Sequence, residues 1–264
     1  MFFSELTDQP YFWRQYRYMA PSPDLAEHVV CYWLLDLRTR SPQQEEYREL
    51  LMANMYSSLV LNLGAPFEIY DHNGALLHAS RHSELIGYHA TPVAYRHLAN
   101  NYLVGIKFKP ASLNYLFHIK GSDIHQQPVL AQDALQHIND LENALFEAPD
   151  LDTVKALLER FLRRHTAIPA ARPFSYVLQS VQTSALQQSG YQLKKLATML
   201  YLSPRTLERY FSASLDISPK KCLNILRFRE AVSQYFVHGY KADWEALGYC
   251  DFSHFRKACR QLHH

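Results

Sequence analysis

The residues best placed to do chemistry lie near the C-terminal end, where residues 192–212 read QLKKLATMLYLSPRTLERYFS. Leu193, Leu196, Ala197 and Leu200 recur at helical spacing, Leu202-Ser203-Pro204 interrupts them, and Leu207 and Phe211 resume an apolar face at i, i+4. Ser203 is a strong N-cap, and Pro204 suits the first helical position, where a missing N–H costs nothing. With Leu207 and Phe211 turned inward, Arg205, Glu208, Arg209 and Ser212 fall on the opposite face. Arginine can bond guanine O6 and N7 bidentately and glutamate can accept from cytosine N4, each good contact giving ~1–3 kcal/mol of discrimination in a major groove. The chemistry expected is recognition of base edges, with Arg209 as the leading reader.

A second constellation follows at residues 248–260, with Gly248 in a turn, Asp251 as a cap, and Ser253, Arg256, Lys257 and Arg260 on the outer face. Between the two, Asp216-Ile217-Ser218-Pro219-Lys220-Lys221 again sets a cap before a proline, and Leu223, Leu226, Arg227, Ala231 and Tyr235 mark a long helix. From residue 219 to 236 it would span ~27 Å at 1.5 Å per residue. A rod of that length can hold two recognition helices about one DNA turn (~34 Å) apart.

Charge is divided in the same sense. Residues 172–264 hold 13 Lys+Arg and 6 Asp+Glu, a balance of +7, and the remaining 14 basic and 19 acidic residues give −5, together the net +2 of the chain. The basic end is the candidate polyanion binder.

The elements that would carry these faces follow from the rest of the 264 residues, a length that favours two domains. Between residues 29 and 109 the apolar residues come in short β-branched and aromatic runs, at 29–37, 57–63, 67–70 and 102–108, which read as strands. Asn73-Gly74 is the dipeptide of a two-residue hairpin turn, so an antiparallel sheet or small barrel is expected. After Pro110 the period becomes helical: Leu113, Leu116 and Phe117; Leu135, Ile138, Leu141 and Leu145; Val154, Leu157, Leu158, Phe161 and Leu162. Arg163-Arg164-His165 suits a helix C-terminus, and the two prolines of residues 166–173 mark a boundary. The organisation read is a front domain of strands and trailing helices over 1–166, a linker over 167–173 and a basic helical domain over 174–264, the last being the candidate DNA-binding domain.

Three motifs in order, LATMLYLSPRTLERYF, ISPKKCLNILRFREA and GYCDFSHFRKAC, resemble the double helix-turn-helix domain of AraC/XylS-type regulators. More loosely, CYW at 31–33, LVLNLG at 59–64, LIG at 85–87 and VGIKFKP at 104–110 resemble the front domain of a subclass of these regulators. The resemblance implies an α+β chain, with a cupin-like antiparallel front domain trailed by helices and a seven-helix, all-α DNA-binding domain. It implies base reading by Arg205, Glu208 and Arg209 in the first unit and by Ser253 and Lys257 in the second, with Ser212 and Arg256 on the same faces. Ser203, Thr206, Lys220, Lys221 and Arg260 are then the phosphate contacts. Implied partners are promoter DNA, a small-molecule effector, RNA polymerase and a second copy of the chain, with activation the commoner outcome in such regulators. Three positions depart from the pattern: Tyr201 stands where many relatives have Gly, Trp244 where Ala is usual, and Cys259 where a core Phe is usual. The volume of Trp244 could offset the small Cys259.

Blander readings compete. A short Leu-rich helical pair is most often plain bundle packing; the second unit and the +7 charge argue for DNA. Of 14 histidines only His78 and His82 are close enough for a helix to align, in a setting that reads as strand or loop, so no metal and no cofactor are expected. The front half lacks HxH with a following Glu, HExxH, GxSxG and a phosphate-cradling glycine loop, which argues against an enzyme. The alternative kept open is a cupin-like enzyme or ligand-binding module with a non-specific nucleic-acid-binding tail. Trp13, Tyr18, Trp33, Tyr56, Tyr88 and Tyr95 could line an effector pocket or simply form core. The four scattered cysteines and the absence of an ~18-residue apolar run or signal sequence lead to an expected cytoplasmic location without disulfides.

Overall fold

A computed structural model describes residues 16–38, 46–125, 127–166, 172–182 and 193–262. The fold is α+β. Strands β1 (Tyr16–Met19), β2 (Val29–Asp36), β3 (Glu46–Leu51), β4 (Ser57–Asn62), β5 (Phe67–Tyr70), β6 (Leu76–Ser80), β7 (Glu84–Ile86), β8 (Val93–Leu98), β9 (Tyr102–Phe108) and β10 (Val129–Leu130) form two antiparallel sheets, ordered β1-β2-β9-β4-β7-β10 and β3-β8-β5-β6. Helices α1 (Ser112–Phe117), α2 (Gly121–Ile124), α3 (Ala131–Ala134), α4 (Ile138–Phe146) and α5 (Leu151–Thr166) trail the strands. The helical end comprises α6 (Arg172–Gln182), α7 (Leu193–Met199), α8 (Pro204–Leu215), α9 (Pro219–His238) and α10 (Phe252–Leu262).

The alternation of side chains along each strand builds two cores from one sheet. On β9, Leu103 faces the space between the sheets with Tyr16, Leu35, Val60, Phe67 and Tyr95, while Val104, Ile106 and Phe108 face the helices. On β4, Val60 points inward between the sheets and Leu59 and Leu61 point to the helices. Because both faces are covered, β9 is buried almost throughout and reads as a continuous apolar run. The helical side is closed by Leu113, Leu116, Ile138, Leu141, Leu145, Val154, Leu158, Phe161 and Leu162, in agreement with the periodicity of residues 113–162.

Three expectations need correction. The β5–β6 hairpin exists, but the Asp71 N–H bonds the Ala75 carbonyl at 2.9 Å, leaving a three-residue loop in which Gly74 (φ +83°) takes a positive φ and Asn73 does not. Asp71 Oδ1 organises that loop, accepting the N–H groups of Asn73 and Ala75 at 2.8 Å. The linker expected over 167–173 ends earlier than its composition suggests: α6 already includes Arg172 and Pro173, a proline being tolerated in a first turn, while residues 167–171 lie outside the described residues. Among the described residues, which do not include 183–192, the helical end holds five α-helices, and residues 243–248, where a further helix is expected, form one hydrogen-bonded turn.

The two halves are not independent. Ala53, Met55, Tyr88 and Ala111 from the front share one core cluster with Val177, Leu196, Leu200, Leu207, Phe211 and Leu215. Helix α2 is wedged into this contact because two glycines remove the side chains that would hold it off. A Cβ on Gly87 would lie 2.4 Å from the Ile124 carbonyl oxygen, and one on Gly121 would lie 2.4 Å from the Leu215 carbonyl carbon. Gly121→Ala should therefore force α2 from α8 and destabilise the chain by ~1–3 kcal/mol, the usual range for overpacking. Urea unfolding of the two proteins measures it, and an unchanged midpoint would contradict the close approach.

Candidate nucleic-acid interface

The first unit is built by a turn and a cap. Helix α7 ends in a Schellman-type turn: the Leu202 N–H bonds the Ala197 carbonyl at 2.8 Å and the Tyr201 N–H bonds Thr198 at 3.1 Å. That geometry needs a left-handed residue, and Tyr201 supplies it at φ +56°, a conformation that costs a side-chain-bearing residue ~1–2 kcal/mol. Ser203 then caps α8, its Oγ accepting the Thr206 N–H at 3.1 Å, with Pro204 at the first helical position as expected. Leu207 and Phe211 are fully buried, and Arg205, Glu208, Arg209 and Ser212 are all exposed.

The second unit repeats the plan with one more residue between turn and cap. The Tyr249 N–H bonds the Trp244 carbonyl at 2.8 Å and the Gly248 N–H bonds Glu245 at 2.9 Å, with Gly248 left-handed at φ +76°. Asp251 caps α10 by accepting the His254 N–H at 2.7 Å, and the His254 ring accepts the Cys250 N–H at 3.2 Å. The leading helix of this unit is reduced to a single turn, started by Asp243 Oδ1 accepting the Ala246 N–H at 3.0 Å. Its core is aromatic: Trp244 stacks on Phe255 at 4.8 Å and shares a cluster with Phe228, Tyr249, Phe252 and the partly buried Cys259. Ser253, Arg256, Lys257 and Arg260 are exposed along α10.

Helix α9 joins the units. Ser218 caps it, its Oγ accepting the Lys221 N–H at 3.2 Å, and its 20 residues span ~30 Å at 1.5 Å per residue. Lys220 and Lys221 are exposed in its first turn. Two side chains tune this frame beyond what periodicity indicates. Arg227 donates from Nη1 to the Gly248 carbonyl at 3.3 Å and lies 4.9 Å from the Tyr249 ring centroid, tying the second turn to the connector. Arg209 lies 5.6 Å from the Tyr210 ring centroid, a cation–π distance, and Tyr210 in turn stacks on Tyr176 at 5.8 Å.

Electrostatically, these faces hold cations in reserve. Among the described residues Arg205, Arg209, Lys220, Lys221, Arg256, Lys257 and Arg260 form no ion pair. Ser203 and Thr206 are less open than the sequence suggests, since Thr206 is half-buried and the two hydroxyls bond each other at 2.9 Å. One hydroxyl hydrogen of that pair remains for an outside acceptor.

The far end of α8 meets the front half through a relay the sequence does not reveal. Asp216, the left-handed C-cap of α8, lies 3.9 Å from His125 Nδ1, which also bonds the Tyr88 hydroxyl at 2.6 Å. Burial first, then the Asp216 carboxylate and the Cys222 thiol, pushes the Tyr88 phenol above its ordinary range, so it keeps its proton. His125 and Tyr88 line a cavity of ≈ 280 Å³ together with His78, His89, Ile124 and Gln127. His78 is spoken for by Glu84 at 2.8 Å, and among the described residues no cluster of three metal-ligating groups occurs. The space between the sheets is smaller, ≈ 60 Å³, room for a few waters. There Glu49 accepts from the Tyr16 hydroxyl at 2.7 Å and bonds His97 at 3.0 Å. Trp33 and Tyr95 line that space, Tyr88 lines the larger cavity, and Trp13 lies outside the described residues.

Removing the cap of the second unit tests this local geometry. Asp251→Ala should cost ~1 kcal/mol, the usual value of an N-cap, and raise amide exchange in the first turn of α10 without affecting α8. Equal exchange in both proteins would mean that the cap contributes nothing.

A domain-family model described as "Domain of unknown function (DUF6597)" matches residues 17–129. No curated protein matches the chain. Among solved structures the chain is similar to ToxT from Vibrio cholerae O395, at 13% identity and TM-score 0.43 over 82% of this chain and 91% of that one. It is similar to unsaturated fatty acid-bound wild-type ToxT from Vibrio cholerae strain SCE256, at 11% identity and TM-score 0.40 over 85% and 94%. A third likeness is to the AraC-like transcriptional activator CuxR, at 12% identity and TM-score 0.28 over 88% and 90%. No described helix is long and apolar enough to cross a membrane.

Proposed function

We propose that the chain is a sequence-specific DNA-binding transcription regulator whose helical end reads duplex DNA and whose front part senses a small molecule or mediates dimerisation. The observation that carries this reading is a repeated one. Two capped helices, α8 and α10, each present exposed and unpaired cations, and one continuous helix of ~30 Å joins their units, close to the ~34 Å rise of a DNA turn. Arg205, Glu208 and Arg209 are the base readers of the first unit, and Ser253, Arg256 and Lys257 those of the second. Lys220 and Lys221 meet phosphates.

The ≈ 280 Å³ cavity is the better effector site of the two, since it approaches the ~300 Å³ at which ligand sites begin. A ligand there would press on His125 and so on the end of α8. The rival reading, a ligand-binding module with an unspecific basic tail, predicts equal affinity for every duplex.

A gel-shift salt series with a duplex selected from a random pool and with unselected duplex separates the two. Arg209→Ala should lose ~1–3 kcal/mol on the selected duplex and relax preference at one base. Lys221→Ala should weaken both duplexes alike and lower the salt slope by about 1. Equal wild-type affinity for the two duplexes would overturn the proposal, and identical behaviour of the two variants would remove their separate roles.

A further inference from the structure

Tyr201 is held in a way that the folded chain alone does not explain. The turn it occupies requires a left-handed residue, and the second unit meets the same requirement with Gly248, which adopts φ +76° without strain. Tyr201 adopts φ +56° with a full side chain. The two turn hydrogen bonds hold the backbone, but among the described residues nothing engages the side chain. The side chain is 97% exposed, the highest value among the large apolar or aromatic side chains of the described residues. No described residue offers it a ring contact, a side-chain hydrogen bond or an ion pair. A strained backbone carrying an unsupported aromatic ring points to a partner outside the chain.

Position identifies the chemistry of that partner. Tyr201 lies two residues before the Ser203 cap, on the rim from which the first two turns of α8 project Arg205 and Arg209. A helix whose N-terminal residues enter a major groove brings the turn before it against the sugar–phosphate ridge. Tyrosine suits that ridge: its hydroxyl can donate to a phosphate oxygen and its ring can cover a deoxyribose. We propose that Tyr201 is a DNA-backbone contact of the first unit, its ring packed on a deoxyribose and its hydroxyl donating to a phosphate at the edge of the groove that α8 enters. This contact rests on the DNA-reading role of α8. It carries no sequence information and, being uncharged, releases no counterion.

The contact gives stability and binding opposite signs, which a purely structural role would not. Full-length wild type, Tyr201→Gly, Tyr201→Phe and Arg209→Ala are melted without DNA. They are then titrated, over a series of salt concentrations, against a duplex selected by the wild type and against unselected duplex. Tyr201→Gly should melt ~2 °C higher, because relief of the left-handed strain exceeds the extra unfolded freedom of glycine. The same variant should bind both duplexes about tenfold more weakly with an unchanged salt slope. Tyr201→Phe, which keeps the strain, should melt with the wild type and bind about threefold more weakly. A Tyr201→Gly protein that binds both duplexes like the wild type would overturn the proposal, as would one that loses only the selected duplex. If Tyr201→Gly weakens binding to both duplexes while Arg209→Ala leaves selectivity intact, Arg209 is removed as a base reader and the backbone contact stands.

Discussion

The helical end depends on α9 being one unbroken helix that belongs to two cores at once. Its first half places Cys222, Leu223 and Ile225 in the cluster of the first unit, and its second half places Phe228, Ala231 and Val232 in that of the second. Burying a large apolar side chain is worth ~1.5–3 kcal/mol, so shifting either half along the helix would forfeit several such terms together. Between Pro219 and Gly239 the helix contains neither proline nor glycine, the usual causes of a kink. Separation and relative orientation of α8 and α10 are consequently set by packing. Arg227 completes the arrangement by holding the Gly248 turn against the connector.

The same packing logic joins the front half to the helical end. The first unit finishes its core with Ala53, Met55, Tyr88 and Ala111, and α2 touches the end of α8 backbone to backbone. A contact made without intervening side chains transmits small displacements, because close-packed interiors have few voids to absorb them. His125, in the lining of the larger cavity, bonds Tyr88 and lies 3.9 Å from Asp216, the C-cap of α8. The second unit shares less with the front, Met52 being partly buried against its cluster.

Much of this is local and was legible as such. Ser203-Pro204 and Ser218-Pro219 fix helix starts because the cap oxygen and the proline ring act within three residues, and both caps form the hydrogen bonds their types suggest. Strands β2, β4, β5 and β9 were readable from apolar runs. Strand β3, Glu46–Leu51, was not, because its sequence EYRELL carries Glu49 inward to meet Tyr16 and His97, and an inward charge erases the alternation that marks a strand. Among the described residues, the leading helix expected in the second unit is shortened to one turn where caps at Asp243 and Gly248 close the segment.

By itself, then, the sequence determined the two capped helices, their outer residues, the connector between them and the antiparallel character of the front, since each follows from spacing or capping within a few residues. Only the tertiary structure decided that the first unit docks on the front half and that Tyr88, His125 and Asp216 meet across sequence separations of 37 and more residues. It also decided which of the two cavities is larger. Such contacts arise from the shapes of packed elements, and neither the period of a helix nor the type of a cap encodes which distant surface will lie against it.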